Sequence, residues 1–309
     1  MTLTRRHALL AGAALPLIGA PRAALAQAED HAGAAPSGVT PFRAFQLGEA
    51  KLVTLLAGSM PQEDPHSIFG LDVNQATFEE VSAENFIPAD RAQGFMVPAL
   101  LDTGEARILF DTGISPEGLL AALEASGYGP GDVTDVVLTH MHPDHIGGLT
   151  SGGAPTFADA AHHAGRVEFD FWAGQGNEAF EASVRPLADR LTFIEGEGEV
   201  LPGVAAVETF GHTPGHLSFR VESGGERVLI LGDVANHYVW SLGHPDWEVL
   251  YDNDKVAAAA TRRRVLGMLA QERMAAQGFH LPFPSLGFVQ AEGEGFAWVP
   301  VSYQFTPTA

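Results

Sequence analysis

Thr139-His140-Met141-His142-Pro143-Asp144-His145-Ile146-Gly147-Gly148 places three histidines and an aspartate within six positions, directly after the apolar, β-branched run Val133–Thr139. An H-x-H pair on a tight loop turns two imidazoles toward one cation, and Asp144 and His145 can face a neighbouring one. Cations of the zinc type accept this nitrogen and oxygen set, commonly with three or four protein ligands each. Isolated surface histidines arise by chance, but this spacing after a buried strand points to a metal site. The chain has no cysteine. Disulfides, thiolate metal sites and a cysteine nucleophile are therefore excluded, and any metal must be held by His and carboxylates.

Working outward, three more polar clusters follow apolar runs. Gly211-His212-Thr213-Pro214-Gly215-His216 succeeds Val204–Phe210, and its glycines let the backbone approach closely. His212 is a further ligand candidate. His216 reads as a supporting hydrogen-bonding or packing residue, with ligation as the alternative, and Thr213 as a group that orients a neighbour. Gly232-Asp233 closes the run Arg227–Leu231. A carboxylate at the end of an apolar strand is costly unless compensated, and bridging two cations would compensate it. His280 lies in Gly278-Phe279-His280-Leu281-Pro282-Phe283-Pro284 and supplies the ligand still missing from a second metal.

The remaining runs set the architecture. Lys51–Ala57 reads as a strand. Phe95–Leu101 and Arg107–Asp111 read as a hairpin around Asp102-Thr103-Gly104-Glu105. Ser115-Pro116-Glu117 begins a helix, with Ser as cap and Pro at the first helical position, running through Leu119, Leu120 and Leu123 to near Gly127. Asp252–Gln277 reads as another helix, with Asp254 as a cap and Val256, Val265, Leu266 and Leu269 on its apolar side. Strands followed by helices, in two successive sets, predict an α/β sandwich with helices outside. The polar clusters all follow strand C-termini, where rigid strands aim loops at one point.

As a set, Thr139–Gly148, Asp111-Thr112-Gly113, Gly211–His216, Gly232-Asp233 and His280 resemble the motifs of the metallo-β-lactamase superfamily, in the family order, over roughly residues 45–290. The resemblance implies an αββα sandwich: two central mixed sheets flanked by helices, with a dinuclear site at one edge. It implies that His140, His142 and His212 hold the first metal, that Asp144, His145 and His280 hold the second, and that Asp233 bridges them. Asp111 would then support a ligand. Zn is the first expectation for the two divalent ions; Mn, Co and Fe also suit His/Asp sites. Ala235–Trp240, His244–Trp247, Thr261–Arg264 and His280–Pro284 resemble the methyl parathion hydrolase-like branch, whose members include phosphotriesterases, arylesterases, lactonases and exported enzymes. Acyl-homoserine lactonases of the superfamily commonly place a Tyr three residues after the bridging Asp. That position here is Asn236, with Tyr238 two residues later.

The expected function is a metal-dependent hydrolase using a metal-bridging hydroxide on neutral ester, lactone or phosphotriester substrates, with Asp144 or Asp233 carrying a proton to the leaving group. The alternatives are an acyl-homoserine lactonase (quorum quenching), a β-lactamase and, outside hydrolases, a di-iron redox protein or a non-catalytic metal binder. Trp172, Phe171, Tyr238 and Trp240 are candidate substrate-pocket aromatics. The branch resemblance implies a homodimer, for which Phe69, Phe78 and Trp247 are candidate interface residues.

At the N-terminus, Thr4-Arg5-Arg6, the apolar run Ala8–Ala20 and Ala24-Leu25-Ala26 describe a twin-arginine-type export signal over residues 1–26. Residues 27–40 read as a flexible lead-in and residues 41–309 as a single hydrolase domain. Cleavage after Ala26 removes Arg5, Arg6 and Arg22, so 17 basic residues become 14 against 38 acidic ones and the net charge goes from −21 to −24. Such a chain is expected in the periplasm or outside the cell, with no stable membrane association after cleavage. An acidic surface repels phosphate backbones, which argues against nucleic acid as a partner and favours small neutral or apolar substrates.

Overall fold

The computed structural model describes residues 40–301. The export signal and most of the lead-in expected from the sequence lie outside the described residues.

Two seven-stranded mixed sheets form the centre. In the first, the order is Phe42–Leu47, Ala50–Leu55, Ala99–Asp102, Arg107–Phe110, Asp135–Val137, Ala161–Gly165 and Leu191–Ile194. The first four strands pair antiparallel and the last four parallel. In the second, the order is Gly198–Leu201, Val204–Glu208, Leu217–Ser223, Glu226–Ile230, Ala275–Gln277, Leu286–Glu292 and Gly295–Pro300. Only Glu226–Ile230 and Ala275–Gln277 pair parallel there.

Both sheets are covered on both faces, so their central strands are apolar at successive positions. Alternate side chains go to different cores. Leu52, Leu101, Ile108 and Phe110 meet Phe219, Val221, Val228 and Ile230 between the sheets. Their neighbours Val53, Leu100 and Leu109 face outward onto Leu119 and Leu123 of the helix Pro116–Ala125. Leu229 and Leu231 pack on Val265, Leu266 and Leu269 of the helix Lys255–Glu272. The layers are helix, sheet, sheet, helix, the αββα arrangement expected.

The structure departs from the sequence reading in three places. Phe95 and Met96 belong not to the hairpin but to a separate ribbon, Arg91–Met96 paired antiparallel with Gly58–Glu63. Pro98, which has no N–H to give a ladder, separates them from Ala99–Asp102. The long helix runs over Lys255–Glu272, capped by Asp254 accepting from the Ala257 N–H, and stops where Arg273 turns left-handed at φ 51°. Asp252 is therefore outside it. Finally, Phe69, Phe78 and Trp247 are not available to an interface. They are buried in a fourth apolar cluster with Ile68, Val239, Trp240 and Val249.

Candidate metal centre

The four polar clusters converge at one edge of the sandwich. The Asp135–Val137 strand ends three residues before His140, and a bend at Thr139 leads into it. Pro143 then opens the four-residue helix Pro143–Ile146, with His142 just before it. This bend lets His140 and His142 point inward together and turns Asp144 and His145 toward the adjacent position. Asp233 follows Gly232, whose φ is +57°; a Cβ at Gly232 would come within 2.6 Å of His216 Nε2, so the turn that aims Asp233 requires glycine.

His140, His142, His212 and Asp233 can offer one ligand atom each with all of these atoms within 4.8 Å of one another; Asp144, His145 and His280 form a second such group. His142 Nδ1 lies 3.0 Å from His140 Nε2 and 3.0 Å from His212 Nε2. Asp233 stands between the groups, with Oδ2 3.3 Å from His212 Nε2 and 3.2 Å from His280 Nε2, and Oδ1 3.2 Å from His145 Nε2. Asp144 Oδ2 is 3.3 Å from His280 Nε2. All seven residues that the sequence singled out as ligands are thus brought together.

The opposite ring nitrogens are held by other groups, which fixes the direction of each Nε2. His145 Nδ1 meets Asp111 Oδ2 at 2.9 Å, His212 Nδ1 meets Asp252 Oδ1 at 3.0 Å, and His280 Nδ1 donates to Phe95 O at 2.7 Å. His140 Nδ1 lies 3.0 Å from Thr139 Oγ1. Asp111 sits at φ 59°, a costly conformation for a residue with a Cβ. There it also accepts the Thr139 N–H and hydroxyl, each at 2.8 Å. His216 holds the frame as expected: its Nε2 accepts the Asp233 N–H at 2.9 Å.

Burial and charge pull the histidines in two directions. Burial, reinforced by His212, lowers His142 to about 3. Burial also lowers His140, with His145 adding to it. Burial alone would lower His145 too, but Asp233, Asp111 and Asp144 outweigh it and raise it to about 10. His212 is likewise desolvated, yet Asp233 and Asp252 raise it to about 9. Desolvation pushes Asp233 upward, and His280 and His145 overcome it and hold it well below the carboxylate range. The carboxylates thus demand compensating positive charge. His145 Nε2 and Asp233 Oδ1 are both buried without a hydrogen-bond partner, and each such orphan costs about 1–3 kcal/mol. Cations between the histidines and Asp233 would satisfy both atoms and replace the protons, so the donor set fits a pair of metal ions.

Two residues that the sequence did not flag hold the ligand loops in place. Glu168, 1% exposed, sits on the helix Arg166–Ala173. Oε1 accepts the Met141 N–H at 3.0 Å and the Trp172 Nε1–H at 2.6 Å, while Oε2 accepts the Thr213 hydroxyl at 2.7 Å and the Gly215 N–H at 3.0 Å. One carboxylate therefore ties the His140–His142 loop to the His212–His216 loop, and Thr213 is oriented by it. Burial still pushes its pKa up against those donors. Asp252 is the second; its Oδ2 accepts from Arg262 Nη1 at 2.9 Å, and this arginine is itself buried and donates to Pro245 O and Trp247 O. Arg166, Glu168 and Asp170 alternate with apolar neighbours, so nothing local singled out Glu168, and Asp252 looked like a helix end.

A cavity of about 280 Å³ opens over the ligands. His142, Asp144, Asp233 and His280 line one side; Met60, Phe69, Met96, Ile114 and Tyr251 supply apolar surface; Asn236 and His237 complete it. The four aromatics expected there are not among its lining residues. Trp172 is buried beneath the site, edge-on to His142 with centroids 5.4 Å apart and its indole N–H committed to Glu168. Phe171 packs edge-on to Trp172 in the same core. Trp240 is buried against Phe78 and donates to Ser82 Oγ. Tyr238 faces two neighbouring cavities instead. Asn236, at the position where lactonases carry Tyr, donates to Asp233 Oδ2 at 2.8 Å.

Comparisons with known proteins give these features a family. Residues 98–273 match the metallo-beta-lactamase superfamily. N-acyl homoserine lactonase of Bacillus sp is 32% identical over 157 residues, 43% of this chain and 60% of that protein. Metallo-beta-lactamase domain-containing protein 1 of Homo sapiens is 36% identical over 184 residues, 57% of this chain and 60% of that protein. The chain thus spans about 60% of the length of these curated relatives. Among solved structures, AidC, described as a dizinc quorum-quenching lactonase in complex with a product homoserine, superposes with a TM-score of 0.78 at 29% identity, covering 85% of this chain and 98% of that one. AbOPH, described as a hydrolase in the beta lactamase superfamily, gives 0.79 at 26%, covering 86% and 99%. The sheet order that delivers the histidines, the ligand sequence and the family match agree, and the chain belongs to the metallo-beta-lactamase superfamily.

Proposed function

We propose that the protein is a dinuclear-metal lactonase that opens N-acyl homoserine lactones or closely similar neutral lactones. The observation that carries this reading is the likeness, over 85% of the chain, to a dizinc lactonase in complex with its homoserine product, on a chain whose own seven ligand candidates form two groups. Among the sequence expectations, it was an alternative to a broader ester, lactone or phosphotriester hydrolase, and the comparisons favour it.

His140, His142, His212 and Asp233 would hold one ion and Asp144, His145 and His280 the other, with Asp233 between them. Bound there, two divalent ions supply a Lewis acid for a carbonyl and an activated water near neutral pH. The chain does the rest. Asp111 and Asp252 hold the His145 and His212 rings so that their Nε2 lone pairs face inward. Asn236 steadies Asp233 through its Nδ2–H. Asp144, partly exposed on the cavity wall, takes the proton released as water attacks and delivers it to the departing ring oxygen. The apolar wall of Met60, Phe69, Met96 and Ile114 suits a neutral acyl chain. Export through residues 1–26 belongs to the same proposal and rests on the sequence alone.

A second reading, phosphotriester or aryl ester hydrolysis as in the methyl parathion hydrolase-like branch, is favoured by the branch motifs and by this apolar wall. A panel decides. Purified, zinc-loaded protein is assayed on N-hexanoyl homoserine lactone, an aryl acetate, an aryl phosphotriester and a β-lactam. The lactone is expected to give the highest kcat/KM; efficient phosphotriester or aryl ester turnover with the lactone untouched would contradict the proposal.

A further inference from the structure

His237 is part of neither ligand group, yet its ring lines the cavity that holds Asp144, Asp233 and His280, and also a neighbouring cavity of about 450 Å³ that His280 shares. The turn after Asp233 fixes this residue closely. Ser241 Oγ accepts the His237 N–H at 2.8 Å and donates to the His237 carbonyl at 3.0 Å. His237 Nδ1 then accepts two backbone N–H groups, those of Val239 and Trp240, each at 3.2 Å. A nitrogen that receives two donors carries no hydrogen of its own. The neutral ring must therefore carry its proton on Nε2.

The ring plane is fixed as well. It stacks on Trp240 with centroids 4.0 Å apart at 16° and lies 4.8 Å from Tyr238 and 5.6 Å from Phe69. Nε2 has no hydrogen-bond partner among the described residues. Desolvation holds the ring's pKa down at about 3, so it does not charge in the working range. The outcome is a neutral, preoriented N–H on a residue that lines the same cavity as Asp144, Asp233 and His280. Such a donor suits an uncharged acceptor, because an anion would be drawn to the cations instead.

We infer that the Nε2–H of His237 is a fixed donor to a substrate carbonyl other than the one under attack, which on the lactonase reading is the amide carbonyl of the acyl chain. The inference rests on that reading for the identity of the acceptor. It makes His237 a specificity residue: it separates lactones that carry an acylamino group from those that do not. A site built to hydrogen-bond a substrate group discriminates against the analogue lacking it.

The test compares N-hexanoyl homoserine lactone with a γ-alkyl lactone of similar length that has no amide. H237N keeps a side-chain oxygen where Nδ1 accepts its two N–H groups but removes the Nε2–H; H237Q restores an N–H near that point. The ratio of kcat/KM for the amide lactone over the alkyl lactone is expected to fall roughly tenfold in H237N, mainly through KM, as for one lost neutral hydrogen bond. H237Q is expected to recover part of that ratio. Parallel losses on both lactones would overturn the inference and leave His237 a packing residue. Wild-type protein that turns over aryl esters or phosphotriesters and neither lactone would instead overturn the proposed function, and the acceptor assigned here with it. Should H237N fail to fold, nitrogen-15 spectra of the wild-type histidines decide: the Nε2–H tautomer of His237 is expected from pH 5 to 8 (roughly the range in which histidine charge normally changes), and an Nδ1–H tautomer would overturn the assignment whatever the substrate.

Discussion

Glu168 shows most plainly how one side chain can govern the site without touching a ligand atom. Its two oxygens satisfy four donors from three segments. In E168Q one oxygen becomes an N–H₂ that faces donors on its own side. A buried backbone N–H left without an acceptor costs about 1–3 kcal/mol, so the variant is expected to melt earlier by that amount and to hold its first metal less tightly under chelator competition. Unchanged melting and unchanged chelator resistance in E168Q would remove the positioning role argued for it. Asp252 invites a parallel experiment. D252N is expected to weaken the orientation of His212 and to leave Arg262 buried beside a neutral partner, with loss of metal retention at the His212 group before the His280 group. Metal analysis after dialysis against a mild chelator reads this directly.

At the scale of elements, the clusters after strand C-termini were legible because strand ends aim their loops. Val136–Leu138 and Val228–Leu231 are continuous apolar runs, which a strand covered on both faces tolerates, and His140 and Asp233 follow them two residues on. Six of the seven ligand candidates lie in such strand-end clusters; His280 was legible only as the ligand that the second group still lacked and through the family resemblance. The cavity wall needed tertiary knowledge. Trp172 and Trp240 are as apolar as wall residues, and nothing local separates an indole that packs from one that meets substrate. Their N–H groups are spent on Glu168 and Ser82, partners far away in sequence for Trp240 and one helical turn away for Trp172. Tyr251 and His237 went unread for the opposite reason: each stands in a turn with no periodicity. The helix Arg166–Ala173 also sits against the second ligand loop so closely that a Cβ at Gly215 would lie 2.2 Å from the Glu168 N. G215A is expected to cost about 1–3 kcal/mol through forced backbone movement and to depress metal loading; a variant as stable and as fully loaded as wild type would show that this contact is slack.

Over the whole molecule, charge couples metal content to stability. In chelator-stripped protein, His145 and His212 are raised from 6.5 to about 10 and about 9 by the surrounding carboxylates. A group whose pKa is raised on folding contributes stability fully below its unfolded pKa and loses it as pH rises through the folded value. The stripped protein is therefore expected to lose stability between about pH 6.5 and 10, whereas the loaded protein, with neutral imidazoles committed to cations, keeps it. Melting curves across that range, with and without metal, check the sign; a stripped protein that gains stability with rising pH there would contradict the electrostatic account.

Whether this chain builds a two-ion centre from its seven ligand side chains is measured most directly by metal content. Mass spectrometry of the purified chain against protein concentration is expected to give two zinc-like ions per chain from the two ligand groups, with H280A retaining the ion of the His140, His142, His212 group and D233A losing hold of both. A single ion in the fully loaded wild type, or two ions undiminished in D233A, would contradict the account.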